Sequence, residues 1–548
     1  MNTRFSLLRA GLLPATFLLA SGACQSALAA GQSSPADDFR TSTGCLNCHS
    51  AMTSSHGEVV SIGADWRGGM MANSARDPYW QASVRREASE HPELSSEIQT
   101  ECASCHMPLQ YQIDQAGKHL TEVLKRVPFH TADNRATDEQ NAAAADGVSC
   151  AVCHQIAGAG LGTPASYNGH YQVAAAGTDP RPVYGPLPVD ADTVAPLHVA
   201  ASGYTPLQVE HIREAGLCGS CHTLTTVSRG PGGRQIGTLP EQMPFVEWLH
   251  SSYRETQTCQ QCHMPAVEGT VEVASVAALP QEGVRRHSFT GANFLVESML
   301  ATHATELGVE ATQNEIAAAR TRITDYLSTQ AATLTLGPID QKPGQLSFPV
   351  TVVNRTGHKL PTAFPSRRAW LHVTVADASG KLVFESGRLR DDGSIEGNAN
   401  DLDPTRYSPH YAEITQPDQV QIYEPILGDS QGHATTALLS ATQYLKDNRI
   451  LPAGMDKQTA PAEIAVHGKA ATDAGFTAGQ ATTRYTVRLG AAKGPLRVTA
   501  ELLYQPIGYR WAQNFAALKT AETERFVGYY RQAAGQSALR LARAEASR

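Results

Sequence analysis

The chain has 548 residues, of which 41% are hydrophobic and 18% are charged, and its formal net charge at pH 7 is −8. This length exceeds that of an ordinary single domain, so we expect two or more domains. The negative charge argues against nucleic acid as a partner, because the phosphate backbone attracts basic surfaces.

The N-terminus has the pattern of an export signal. Arg4 and Arg9 precede an apolar run at residues 12–19, and Ala27-Leu28-Ala29 has the small residues of a cleavage site. We therefore predict a signal peptide at residues 1–29, with Ala30 as the first residue of the mature chain. Loss of the two arginines moves the formal charge to −10.

An alternative makes Cys24 the lipidated first residue of a lipoprotein. Ser21 stands three residues before it, where such signals usually carry Leu, so we favour simple cleavage. No later apolar run approaches the length of a membrane span. The sequence thus predicts a water-soluble periplasmic or extracellular protein.

Five copies of one motif, Cys-x-x-Cys-His, follow between residues 45 and 263. This is the attachment signature of a c-type haem: the two thiols form thioethers to the porphyrin, and the adjacent His ligates the iron. We predict five covalent haem c groups, with proximal ligands from the same motifs. The attachment residues are Cys45, Cys48, His49, Cys102, Cys105, His106, Cys150, Cys153, His154, Cys218, Cys221, His222, Cys259, Cys262 and His263.

Disulfides and zinc sites are the alternatives for ten cysteines in an exported chain. Neither explains the His that follows every pair. A Cys-x-x-Cys disulfide would also close a very short, strained loop, which is typical of catalytic redox sites and unsuited to a repeated structural role.

Each iron has a second axial position, which another residue can fill. Met70 and Met71 are candidates, although Met is more often a core filler. Among the non-motif histidines we favour His198, which follows a Pro-rich stretch, and His287, which we expect to open an amphipathic helix. The ten between residues 31 and 335 are His56, His91, His119, His130, His170, His198, His211, His250, His287 and His303.

After residue 335 the pattern changes to alternating apolar residues, which is typical of strands. Strands are predicted at residues 346–352, 369–376, 382–385, 420–423, 484–489 and 496–504, and a helical pattern runs from Thr520 to Ala544. We expect the first two strands to form a hairpin with Gly357-His358-Lys359-Leu360-Pro361 in its turn. His358 is then a candidate distal ligand, and Lys359 could meet a haem propionate.

A loop at residues 391–398 carries oxygen-bearing side chains suited to calcium, but without the EF-hand register, so a solvated loop is favoured.

With these motifs the chain resembles the multihaem c-type cytochromes of the cytochrome c-554 and hydroxylamine-oxidoreductase-like assemblage, especially members with a C-terminal immunoglobulin-like β domain. The likeness rests on the five haem motifs, the His-Met-Pro endings of two of them, and the segments around His287 and His358. It implies that His287 and His358 are iron ligands. No Cys-x-x-Cys-Lys is present, so the lysine-ligated haem of pentahaem nitrite reductases is missing.

The expected fold class is α+β multidomain: a mainly helical, loop-rich pentahaem domain, an antiparallel β-sandwich-like domain and a C-terminal helix. The predicted boundaries are 1–29 for the signal peptide, 30–335 for the pentahaem cytochrome c domain, 336–510 for the β-sandwich-like domain and 511–548 for the C-terminal helical segment.

Two functions are compatible with these features. In the first, the protein relays electrons in respiration between redox partners, such as quinol-oxidising membrane cytochromes or terminal reductases. In the second, one open iron acts on a small nitrogen or sulfur oxyanion. The abundance of histidines favours relay, because every sixth position can be filled. Self-association, including a subunit role in an extracellular haem filament, is a further alternative.

Overall fold

The computed structural model describes residues 38–129, 141–276, 279–492 and 494–548. The predicted signal peptide, Cys24 and the candidate His130 lie outside these residues. The described chain has an α+β multidomain architecture, with short helices in its first part and antiparallel sheets in its second. No described helix combines the length and the apolar character that crossing a bilayer would require.

The motif region, residues 38–330, contains most of the helices. Several begin at a side-chain cap: the Asp77 carboxylate accepts the amides of Tyr79 and Trp80, with Pro78 at the first position, where its missing N–H costs nothing. The helices are α1 Ser42–Leu46, α2 Ile62–Arg67, α3 Pro78–Glu90, α4 Ser95–His106, α5 Pro108–Ala116, α6 Ala142–Ala145, α7 Cys150–Cys153, α8 Val194–Ser202, α9 Ala215–Gly219, α10 Pro244–Leu249, α11 Cys259–His263, α12 Phe294–Thr302, α13 Ala304–Leu307 and α14 Gln313–Thr329.

The strands of this region form four two-stranded sheets, one of them parallel. They are β1 Met52–Thr53, β2 Val59–Val60, β3 Arg181–Gly185, β4 Tyr204–Gln208, β5 Leu224–Arg229, β6 Gln235–Gln242, β7 Val271–Glu272 and β8 Pro280–Gln281.

The second part, residues 332–548, is built from two larger sheets and a small third one. Its elements are β9 Ala332–Leu336, β10 Asp340–Lys342, β11 Gln345–Asn354, β12 Arg368–Ala376, β13 Leu382–Ser386, α15 Ala399–Leu402, β14 Glu413–Ile414, β15 Ile422–Tyr423, β16 Pro425–Asp429, β17 Ala434–Thr435, β18 Ala441–Asp447, β19 Phe476–Thr477, β20 Gln480–Arg488, β21 Arg497–Gln505, α16 Tyr509–Gln513, α17 Ala521–Ala533 and β22 Leu539–Ser547.

The two larger sheets face each other across one core. The first has the order β10-β11-β20-β14, with β9 also on β11 and β19 also on β20; the second has the order β13-β12-β21-β22, with β15 on β12. Inward residues of both sheets are buried together; Phe348 stacks on Tyr485, and Phe384 of the other sheet meets the same ring edge-on at 6.2 Å. We call this part of the chain the sandwich.

Apolar burial is divided unevenly between the two parts. The large core lies mostly within the sandwich and extends to α12 and α14, whereas the motif region around the cysteines has small separate clusters. A chain folded around large apolar prosthetic groups would have this distribution, because the groups supply the surface that side chains bury elsewhere.

The alternating segments predicted at 346–352, 369–376 and 496–504 are confirmed as β11, β12 and β21. The predicted hairpin is wrong, because β11 pairs with β9, β10 and β20, whereas β12 pairs with β13, β15 and β21 in the other sheet. Residues 355–367 therefore cross from one sheet to the other. The crossing segment, which carries His358, is long and contains Pro361 and Pro365.

Two helix predictions also need correction. The C-terminal helix stops at Ala533, and Leu539–Ser547 is a strand on β21, because its side chains alternate between buried or half-buried and exposed. His287 does not open a helix: α12 starts only at Phe294, and both its faces are buried, so it is not amphipathic.

One buried acid in α12 makes stability depend on pH. Burial raises the pKa of Glu297 from 4.5 to about 8, and Arg322 opposes that shift only in part. The unfolded chain releases this proton above pH 4.5 and the folded chain retains it to about pH 8, so the stability contributed by the protonated form is lost as the pH rises between these values. Glu297→Gln should melt at the parent temperature near pH 5 and above it near pH 8. Equal melting temperatures at both pH values would contradict this assignment.

Candidate functional site

The five motifs are set on short helical turns. Within one turn, residues three apart lie on the same face, so each Cys-x-x-Cys directs both thiols to the same side with the His next to them. Local capping favours the turn: Ser149 accepts the Val152 amide at the third motif, and Thr258 with Gln261 forms a capping box at the fifth. The ten cysteines of the motifs, all within the described residues, are free thiols.

A single cavity of about 2210 Å³ is lined by the cysteines and the histidine of all five motifs. An ordinary small-molecule pocket has a volume of roughly 300–1,000 Å³. The cavity wall also contains His198, His287 and His358, and both Met70 and Met71. The motif residues and the three favoured histidines, which are spread over more than 300 residues of the sequence, therefore line the same cavity.

Two pairs of imidazoles face each other across this cavity. The ring of His154 is 6.4 Å from the ring of His287, centre to centre, and the rings are inclined by 19°. His263 and His358 have the same separation and inclination. A metal between two imidazoles, with bonds of about 2 Å to each nitrogen and about 1.1 Å from nitrogen to ring centre, would separate the centres by about 6.2 Å. Both pairs therefore have the separation of two imidazoles that would hold one metal ion.

Burial lowers the pKa of His49, and His198 lies near enough to lower it further. His198 lies in α8, where its Nδ1 is 2.9 Å from the Tyr204 carbonyl oxygen. The side chains chosen from the sequence, His198, His287 and His358, are therefore each brought beside a motif histidine.

The rings are oriented by backbone carbonyls. In three motif histidines, Nδ1 lies 2.6 Å from a backbone carbonyl oxygen. The pairs are His49 with Val273, His154 with Tyr184, and His263 with Thr290. A carbonyl can only accept, so Nδ1 must donate, and Nε2 keeps its lone pair for a metal. His287 and His358 have similar contacts, at 3.1 Å and 3.0 Å.

Burial also keeps the imidazoles neutral. It lowers the pKa of four of them, His106, His222, His287 and His358, from 6.5 to about 4. The pKa values of His154 and His263 are lowered for the same reason. Neutral imidazole is the form that ligates a metal.

Among the described residues, His106 and His222, like His49, lack the ring contact that pairs His154 with His287 and His263 with His358. Among the ring contacts of the described residues, none places a second imidazole opposite either of them. His106 instead stacks on Trp80 at 4.6 Å with the rings inclined by 6°. Burial has the largest effect on the pKa of His222, and His263, Arg367, His106 and His358 lie near enough to lower it further.

The remaining candidates lie away from the paired rings. His211 uses Nε2 on the Ile156 carbonyl at 2.9 Å, and His303 stacks on Tyr529 at 3.5 Å. His91 is buried outside the cavity lining. The others within the described residues, His56, His119, His170 and His250, are exposed.

Thiols of different motifs lie close together. In three pairs, one thiol is near enough to shift the pKa of the other: Cys45 of the first motif with Cys150 of the third, Cys105 of the second with Cys221 of the fourth, and Cys218 of the fourth with Cys259 of the fifth. Cys153 lies near Cys218 and Cys221, which places the third motif beside the fourth. The five motifs therefore form one connected set, in which the fourth lies near the second, third and fifth.

The surroundings of Lys359 differ from what its sequence neighbours indicate. Its ammonium is fully buried and lies 2.6 Å from the Asp447 carboxylate. Contrary to the expectation from the sequence, it is therefore not available to a propionate. The partners come from β18, and nothing near Lys359 in the sequence indicates that distant strand.

Comparisons with known proteins give one structural similarity. No family model matches the chain, and no curated protein matches it. A solved structure, the penta-heme cytochrome c552 from Thermochromatium tepidum, aligns with 16% sequence identity over 93% of this chain and 100% of that chain, with a TM-score of 0.49.

Proposed function

We propose that this protein carries five covalent haem c groups and relays electrons between redox partners. The observation that carries the proposal is that all five motifs line one cavity, with thiols of different motifs close enough to shift each other's pKa. Each thiol would be bonded to the edge of its macrocycle, so thiols that lie close together would bring neighbouring edges together. Bound haem would supply the one-electron chemistry of the relay.

The protein's own part is attachment, ligation and exclusion of water. The thiols would fix the macrocycles; the carbonyl-oriented imidazoles would hold the irons of the first, third and fifth sites from both sides, through His198, His287 and His358. The apolar wall would keep solvent from the haem faces, and His on both faces gives a lower potential than a His and Met pair.

The export signature supports a periplasmic or extracellular location. The negative net charge of the chain favours proteins over nucleic acid as partners. The partners expected are membrane quinol oxidisers or terminal reductases, with self-association as a further option.

A second function, reduction or oxidation of a small oxyanion, is favoured by one observation. His106 and His222 have no imidazole facing them among the described residues, and Arg367 stands near His222. An iron held by one imidazole would retain a face for an anion.

The spectrum of the ferric holoprotein tests the two functions against each other. Wholly low-spin signals would support relay through six-coordinate irons. A high-spin fraction that shifts on addition of nitrite or sulfite would support the enzyme instead.

A further inference from the structure

Four charged side chains are buried together where the crossing segment of residues 355–367 meets the motif region. Lys359 Nζ is 2.6 Å from the Asp447 carboxylate; Arg449 is 2.7 Å from the same carboxylate and 3.2 Å from Glu247. The side chains are 0–5% exposed. We call these four residues the charge cluster; its two positive and two negative charges balance.

Glu247 is the member that joins the two parts of the chain. It lies in α10, between the fourth and fifth motifs, whereas the other three members belong to the sandwich. Besides Arg449, its carboxylate accepts the Lys359 amide at 3.0 Å and the Thr362 hydroxyl at 2.5 Å. The Glu247 side chain of the motif region thus binds two residues, Lys359 and Thr362, of the crossing segment that carries His358.

Further hydrogen bonds connect Glu247, through Lys359, to the His358 ring. The Lys359 carbonyl accepts from His358 Nδ1 at 3.0 Å, while the Lys359 amide is bound to Glu247. Asn354 donates to the His358 carbonyl at 2.7 Å and to that of Ile450 at 3.0 Å. The residue after His358 is therefore fixed at its amide, its carbonyl and its ammonium.

We propose that Glu247 is a positioning residue, which sets the His358 ring against the His263 ring by binding the Lys359 amide and the Thr362 hydroxyl. The inference rests on the proposed function, in which His358 is an iron ligand. A displacement of about 1 Å in a supporting residue is enough to loosen a ligand held in this way. Glu247 would then control whether the fifth iron has one imidazole or two.

Glu247→Ala, made in the full-length holoprotein, tests the proposal. The variant should bind up to one more carbon monoxide per chain than the parent when reduced, and its ferric spectrum should gain a high-spin component that added imidazole removes. Glu247→Gln retains an oxygen for the Lys359 amide and should fall between the parent and Glu247→Ala.

Asp401→Asn is the matched control. Asp401 pairs with Arg368 at 2.8 Å at the start of β12, with side chains 1% and 4% exposed, so its loss breaks a similarly buried ion pair whose two residues are not members of the charge cluster. We expect a lower melting temperature and the parent spectrum. If Glu247→Ala melts lower in the same way but binds no additional carbon monoxide, the cluster only stabilises the fold and the proposal is overturned.

Two further variants keep the test decisive. Thr362→Val serves if Glu247→Ala does not accumulate with haem, because it removes one contact of Glu247 at constant shape. The double variant Thr362→Val with Glu247→Gln must then bind more carbon monoxide than the parent. Binding equal to that of the parent would overturn the proposal. His358→Ala separates this result from the proposed function: if that variant also has the parent spectrum, the ligand assignment has failed, whereas a changed spectrum with an unaffected Glu247→Ala rejects only the positioning role.

Discussion

Replacing His358 with Ala should convert one of the five haems from a six-coordinate to a five-coordinate iron. The reason is the separation of the His358 and His263 rings, 6.4 Å from centre to centre, which suits two imidazole ligands of one iron. We expect a new high-spin signal and carbon monoxide binding by one more haem per chain. His358→Met should instead remain low-spin with a raised potential, because thioether ligation favours the reduced iron.

His250→Ala is the control for this substitution. His250 follows α10 close to the same region, but its ring is exposed and it is not part of the cavity wall. The control should have the parent spectrum. If His358→Ala also has the parent spectrum and redox titration, His358 is not an iron ligand, and the fifth site must take another one.

Replacing Cys218 and Cys221 together with Ser should separate the haem set into parts. The fourth motif is the one that lies near the second, third and fifth, so loss of its haem would separate the first and third sites from the second and fifth. When an electron donor is mixed with the variant, one group of haems should be reduced quickly and the other group slowly. In the parent, all haems should be reduced at one rate. Rapid-mixing absorbance spectroscopy measures this directly.

Cys259 and Cys262 to Ser provide the comparison. The fifth motif lies at an end of the set, so the four remaining haems should still exchange electrons at the parent rate. Equal rates in both variants would mean that the fourth site is not the branch point.

The sequence was most informative where chemistry or period is local. The Cys-x-x-Cys-His spacing is imposed by the macrocycle, and β11, with Phe348, Val350 and Val352 alternating inward, could be predicted because strand period depends on adjacent residues. His287 and His358 were singled out by resemblance and by their flanking residues. The structure brings both rings beside motif histidines, as the hypothesis required.

The rest depended on contacts between distant segments. Which motif histidine faces His287 follows from the packing of the whole cavity, and Glu247 meets Lys359 across more than 100 residues. The sheet crossing at residues 355–367 could not be told from a hairpin, because alternating strands do not reveal their partners. Residues 539–547 have the two-residue period of a strand, with Leu539 and Leu541 on one face, and the prediction of one helix from Thr520 to Ala544 overlooked this period; the structure pairs them with β21.

The intact mass of the exported holoprotein is the most direct test of the account. Under denaturing conditions, the chain should exceed its apoprotein, beginning at or near Ala30, by the mass of five haems, because each motif carries a pair of free thiols on the wall of the same cavity. A mass corresponding to three haems or fewer would contradict it.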